Sequence, residues 1–262
     1  MKTQLTITTH PVLVALGATL LFFESILHFH APFRWLDVGL VFSLTLAAYS
    51  FPSRKVASFS HKAINRVFFI AAVFSVVMSI LLGCMLSRML VISTCLVLFL
   101  TYRFGSAIGF SFRGSPLLKG PIIALCWTII TVYLPVNIHN IAIDSREVVS
   151  MALLNFCMVL AMAWLCDLAD LKNDAEKGLQ TISVRFGPER TILMSLMIMM
   201  ACTMVLAFLL PLSSFMLKGV VLADMITGLA IIAVTKLPSN SAKWMVDALL
   251  LCKPLAMICI LP

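Results

Sequence analysis

Nine apolar stretches succeed one another along the chain, and they constrain its fold more than any other feature. Their cores fall near residues 12–28, 36–51, 67–86, 89–102, 120–135, 148–166, 190–212, 216–235 and 244–262. A helix needs about 20 residues to cross hydrocarbon. Most of the stretches approach that length, and the fourth and fifth are short. Lipid offers no water to backbone N–H and C=O groups, so such segments close their hydrogen bonds internally as helices. With 61% hydrophobic and 11% charged residues, the composition excludes a soluble domain. No low-complexity run or Pro/Ser-rich linker divides the chain, so a single membrane domain over residues 1–262 is expected. The predicted class is all-α, a polytopic membrane protein of about nine transmembrane helices.

The remaining charges are unevenly placed. With the amino terminus on one side, Arg34, Arg88, Arg146 and Lys218 fall opposite, and Lys253 lies inside the last span. The other fourteen of the 19 Lys and Arg share the side of the amino terminus. That asymmetry makes this side cytoplasmic. The net charge of +8 then reports topology and contact with anionic headgroups, not nucleic-acid binding. The expected location is a bacterial inner membrane, crossed many times. Glu24 interrupts the first apolar run and no small-residue cleavage site follows, so that run reads as a span rather than a signal peptide. The eight cysteines lie in or beside apolar segments without a CxxC pair, as small apolar fillers.

The long polar connections are cytoplasmic: Ser53 to Arg66, Arg103 to Lys119, and Asp167 to Arg190. Binding residues collect on loops held by a rigid scaffold, so chemistry is expected at that face. The third connection opens with Asp167, Asp170 and Asp174. At about 100° per residue, three carboxylates so spaced fall within roughly 60° of one helical face. Carboxylates crowded there repel unless a cation or proton lies between them. A hard divalent cation suits oxygen ligands, and a phosphate would complete its shell. Taken alone, an acidic face near Lys172 and Lys177 is also what a solvated helix end looks like.

The residues after the triplet narrow the choice. Asp167-x-x-Asp170-x-x-x-Asp174, then Gly178, Thr181, Val184-Arg185 and Gly187, resembles the second aspartate motif of the UbiA superfamily of membrane prenyltransferases. Ser183 stands where that motif usually has proline, a minor departure. The segment from Arg113 through Lys119 to Trp127 resembles the basic entry to the family's fifth helix, and Asp247 an acidic position in its last span. The resemblance implies a UbiA-type helical bundle in which aspartate motifs after helices 2 and 6 hold Mg²⁺. The metal grips an isoprenyl diphosphate, whose prenyl group passes to a lipophilic acceptor, in some members aromatic. It further implies Asp167, Asp170 and Asp174 as the catalytic metal ligands. Arg113, Lys119 and Lys172 are the candidate diphosphate partners.

One departure is large. No Asp or Glu occurs between Asp37 and Asp144, and the loop after the second span reads Tyr49-Ser-Phe-Pro-Ser-Arg54-Lys55 where the first aspartate motif belongs. Either Arg54 and Lys55 grip the diphosphate with fixed charge, leaving one Mg²⁺ on the second motif, or the chain keeps the fold without the chemistry and binds an isoprenoid or a partner. A transporter is a third class, but transporter sites lie near the midplane, and here the polar cluster sits at one edge. Glu24, Asp224 and Asp247 lie inside spans, where ionisable groups usually face a cavity or a partner. Asp247 has Lys243 one turn away.

Overall fold

The computed structural model describes residues 11–50, 59–82, 115–142 and 146–209, with a few positions between 93 and 97 and between 227 and 255. Every regular element among these is helical. In chain order they are α1 (Pro11–His28), α2 (Trp35–Ser50), α3 (Phe59–Leu82), α4 (Lys119–Thr128), a π-helical turn (Ile129–Tyr133), α5 (Leu134–Ile138), α6 (Arg146–Ala169), α7 (Leu171–Glu176), α8 (Ile182–Phe186) and α9 (Pro188–Leu209).

Six of the expected spans are therefore helical where they are described. Pro11–His28, Lys119–Ile138, Arg146–Ala169 and Pro188–Val205 are long and apolar enough to cross a membrane, and Trp35–Tyr49 and Phe69–Met78 are shorter apolar helices. The expected spans at 89–102, 216–235 and 244–262 lie largely outside the described residues.

The helices run up and down as a bundle, with α1 against α2, α2 against α3, α4 against α6, and α6 against α9. Leu21, Phe22, Leu40, Leu134, Met158 and Leu165 form its buried centre. α3 is peripheral: Val67, Ile70, Phe74 and Leu81 all face outward. An apolar exterior is the expected finish in hydrocarbon, where association rests on close packing rather than on the hydrophobic effect. Hydroxyls inside the spans turn back on their own helices. Thr19 donates to the Ala15 carbonyl at 2.8 Å, Thr128 to Ala124 at 2.9 Å and Ser195 to Thr191 at 2.9 Å. That arrangement spares each of them an unsatisfied polar group in lipid.

The π turn interrupts the span Lys119–Ile138 for a local reason. Pro135 lacks an N–H, and its ring would clash with the carbonyl four residues back in a regular helix. The wider turn at Ile129–Tyr133 ends just before it. Thr131 within the turn donates to the Trp127 carbonyl at 2.8 Å and accepts from Asn155 Nδ2 of α6 at 3.2 Å. Asn155 and Thr131 are both fully buried. This polar tie joins the π turn to α6 in the interior of the bundle.

Candidate functional site

The aspartate segment sits where α6 ends. Asp167 occupies the last turn of α6, and Asp170 is the corner, with φ −97° and ψ 1° at the start of α7. Asp174 lies on α7, a separate short helix. The expectation of three carboxylates on the face of one helix is thus corrected. The backbone bends at Asp170, although the Asp170 N–H still reaches Cys166 O at 3.1 Å and the Asp174 N–H reaches Asp170 O at 2.9 Å.

The bend nevertheless brings Asp167 and Asp174 back to one cation. Lys119, the first residue of α4, forms a short ion pair through Nζ with Asp167 Oδ1. The same Nζ lies 4.0 Å from Asp174 Oδ2. Asp167 is 3% exposed and Asp174 6%. Helix dipoles alone would favour neither placement, since an acid is disfavoured at a C-terminal end and a cation at an N-terminal end. Antiparallel packing of α4 on α6 sets the two against each other, so that each offsets the other. The amino-terminal end of α4, freed of its lysine, is an end that favours anions.

Gly120 makes this approach possible. A Cβ there would lie 2.8 Å from Leu160 Cδ1 and 2.9 Å from Trp164 Nε1, both on α6. Only a glycine lets α4 come that close, and the close approach is what delivers Lys119 to Asp167. Trp164 packs its half-buried indole against this glycine.

Two turns beyond Asp174 fix the return of the chain. The N–H of Leu179 bonds to Asp174 O at 3.0 Å and that of Gly178 to Ala175 O at 3.0 Å, with Gly178 at φ +67°. This is a Schellman closure, and its left-handed position explains the glycine. Ser183 then donates its hydroxyl to the Asp167 carbonyl at 2.8 Å and lies 3.3 Å from Thr181 Oγ1. The residue at the expected proline position is therefore a fully buried strut beneath the first aspartate. Sequence reasoning missed this role, and its only signal was the departure itself. Gly120 was equally hidden, because the need for it is set by a helix forty residues away.

The structure therefore brings Lys119, Asp167 and Asp174 together, with Asp170 at the corner between the two carboxylates. Lys172 is exposed on α7. Arg113, Arg54, Lys55, Asp224, Lys243 and Asp247 lie outside the described residues. Glu24, expected to face a cavity or a partner, is fully enclosed in α1. Among the described residues, Cys126, Cys157, Cys166, Cys202 and Cys252 form no disulfide with one another. Hard carboxylate oxygens from Asp167 and Asp174 bracket a cation position, which is the donor chemistry Mg²⁺ takes. Among the described residues, no three of His, Cys, Asp and Glu are grouped tightly enough to hold a metal by themselves.

Comparison with known proteins agrees with this architecture. The sequence matches the UbiA prenyltransferase family over residues 53–248. The chain belongs to that family. No curated protein matches the sequence. Among solved structures, a digeranylgeranylglyceryl phosphate synthase of membranes aligns with a TM-score of 0.58 at 12% identity, covering 95% of this chain and 92% of its own. The apo form of a UbiA homologue from Aeropyrum pernix K1 aligns with a TM-score of 0.54 at 15% identity, covering 94% of this chain and 97% of its own. At such identities these two likenesses establish the fold.

Proposed function

We propose that this UbiA-family chain is a membrane-embedded prenyltransferase that moves a polyisoprenyl group from its diphosphate to a lipophilic acceptor with Mg²⁺. The observation that carries the reading is the convergence of Lys119, Asp167 and Asp174 at one end of α4 and α6. Asp167 and Asp174 would hold the metal, with Asp170 at the corner supporting them directly or through water. Bound there, Mg²⁺ supplies positive charge where the diphosphate gains negative charge on leaving. Lys119 binds a phosphate oxygen, and Arg113 and Lys172 add fixed charge around it. The apolar bundle keeps water from the allylic carbon once its bond to the diphosphate oxygen breaks. The electron pair leaves with the diphosphate, and the acceptor forms the new bond and gives up a proton. The likeness to a structural neighbour described as a digeranylgeranylglyceryl phosphate synthase in membranes supports a lipophilic acceptor. The basic asymmetry of the loops supports a cytoplasmic site.

A second reading has its own observation. With no carboxylate between Asp37 and Asp144, the chain has nothing to build the family's first metal site, which supports a silent UbiA scaffold that only binds an isoprenoid or a partner. Binding of a long-chain isoprenyl diphosphate to detergent-purified protein, with Mg²⁺ and with chelator, tests the shared half of both. Mg²⁺-dependent binding that is lost in Asp170→Asn supports a working site. Transfer to candidate acceptors then separates enzyme from scaffold. Equal binding by the wild type and the variant would sink the metal assignment.

A further inference from the structure

Lys119 occupies the position from which two carboxylates address a cation. Its ammonium pairs with Asp167 and stands 4.0 Å from Asp174, and all three side chains are largely withdrawn from solvent. A divalent ion cannot share that position with an ammonium, so metal entry requires Lys119 to leave. Leaving has a cost, because parting a buried pair strands a charge. The stranded charge here is the lysine's, and a diphosphate oxygen is the partner that would receive it. Among the described residues the protein gathers fewer than three metal-binding side chains here. Water would complete the six-oxygen shell of a bare ion, and phosphate oxygens would replace that water when a diphosphate binds.

From these two observations we infer that Lys119 is a resident counterion that bars Mg²⁺ from the Asp167–Asp174 position until a diphosphate arrives, making metal binding strictly dependent on the diphosphate. The inference rests on the proposed function and adds an order of events to it. Lys119 acts as a switch between two anions, the carboxylates when the site is empty and the phosphates when it is filled. The apo protein is then indifferent to the free Mg²⁺ of its surroundings, and a diphosphate draws the metal in with it.

The test is equilibrium binding of Mn²⁺, followed by the loss of its free-ion paramagnetic signal, on the full chain in detergent. Farnesyl S-thiolodiphosphate, whose carbon–sulfur bond resists cleavage, supplies the diphosphate. The wild type is expected to take up Mn²⁺ only with the thiolodiphosphate present. Lys119→Gln and Lys119→Met are expected to bind Mn²⁺ alone, at least about 100-fold more tightly than the wild type. Adding Asp167→Asn to either should abolish that binding. Lys119→Arg keeps the charge and should exclude Mn²⁺ as the wild type does. Should the neutral variants not fold, wild type and Lys119→Arg decide the matter by their response to Mn²⁺ alone. Uptake of Mn²⁺ alone by the wild type, as tightly as by Lys119→Gln, would overturn the inference while leaving the proposed function standing. So would neutral variants that still need the thiolodiphosphate. No Mn²⁺ uptake by any form under either condition would overturn the proposed function itself.

Discussion

At the scale of single residues, the site depends on side chains placed where helix electrostatics would not choose them. Lys119→Met leaves Asp167 buried beside no ammonium, and breaking such a pair costs on the order of 3 kcal/mol. Replacing both partners, Lys119→Met with Asp167→Leu, should recover most of that loss, because an apolar pair of similar volume is often neutral. Denaturant titration in mixed micelles, run as a double-mutant cycle, measures the difference. Gly178 gives a cleaner test. A Cβ there meets nothing within 4 Å, so Gly178→Ala pays only for its left-handed backbone, roughly 1–2 kcal/mol. Ser183 was legible only as an oddity, since its partner is a main-chain carbonyl, and no side-chain pattern announces one.

At the scale of elements, the contact between α4 and α6 governs the site. Gly120→Ala drives a methyl into Leu160 and the indole of Trp164. The helices must part, at an expected cost of about 1–3 kcal/mol. Because the shift also carries Lys119 away from Asp167, labels on cysteines introduced beside the pair, one on each helix, should report a widened gap. Asn155→Leu removes the tie to Thr131, and interhelical hydrogen bonds in membranes average about 0.6 kcal/mol, so the expected loss stays below roughly 2 kcal/mol. The six described spans were readable in advance because each announces itself by a long apolar run. The bend at Asp170 was not. Periodicity assumes a straight helix, and the two hydrogen bonds at the corner preserve helical spacing while the direction changes. The wide turn before Pro135 escaped notice for the same reason: an apolar run looks the same whether it is wound as α or as π.

At the scale of the whole molecule, the charge asymmetry predicts an orientation that labelling can test. A cysteine replacing Glu176 should react with a membrane-impermeant maleimide only from the cytoplasmic side, and one replacing His30 only from the other side. Labelling of both from one side would refute the assigned topology. Membership of the UbiA family was readable from one motif of some twenty residues, whereas the likeness of structures spans nearly the whole chain at 12% and 15% identity. A lipid-facing surface tolerates any apolar residue, so sequence drifts while the arrangement of helices persists. The partnership of Lys119 with the aspartates was half legible. Both were candidate ligand-binding groups, but nothing in the order of residues said that they would bind each other.

That partnership also bears on how the protein is made. Lys119 and Asp167 are separated by 48 positions, with two membrane crossings between the cation and its anion. When α4 first enters the bilayer, Asp167 has not yet been threaded, so the lysine must wait among lipid headgroups. The ion pair can close only when α6 arrives and docks. Its closure therefore marks the moment during biogenesis when the two helices are correctly apposed.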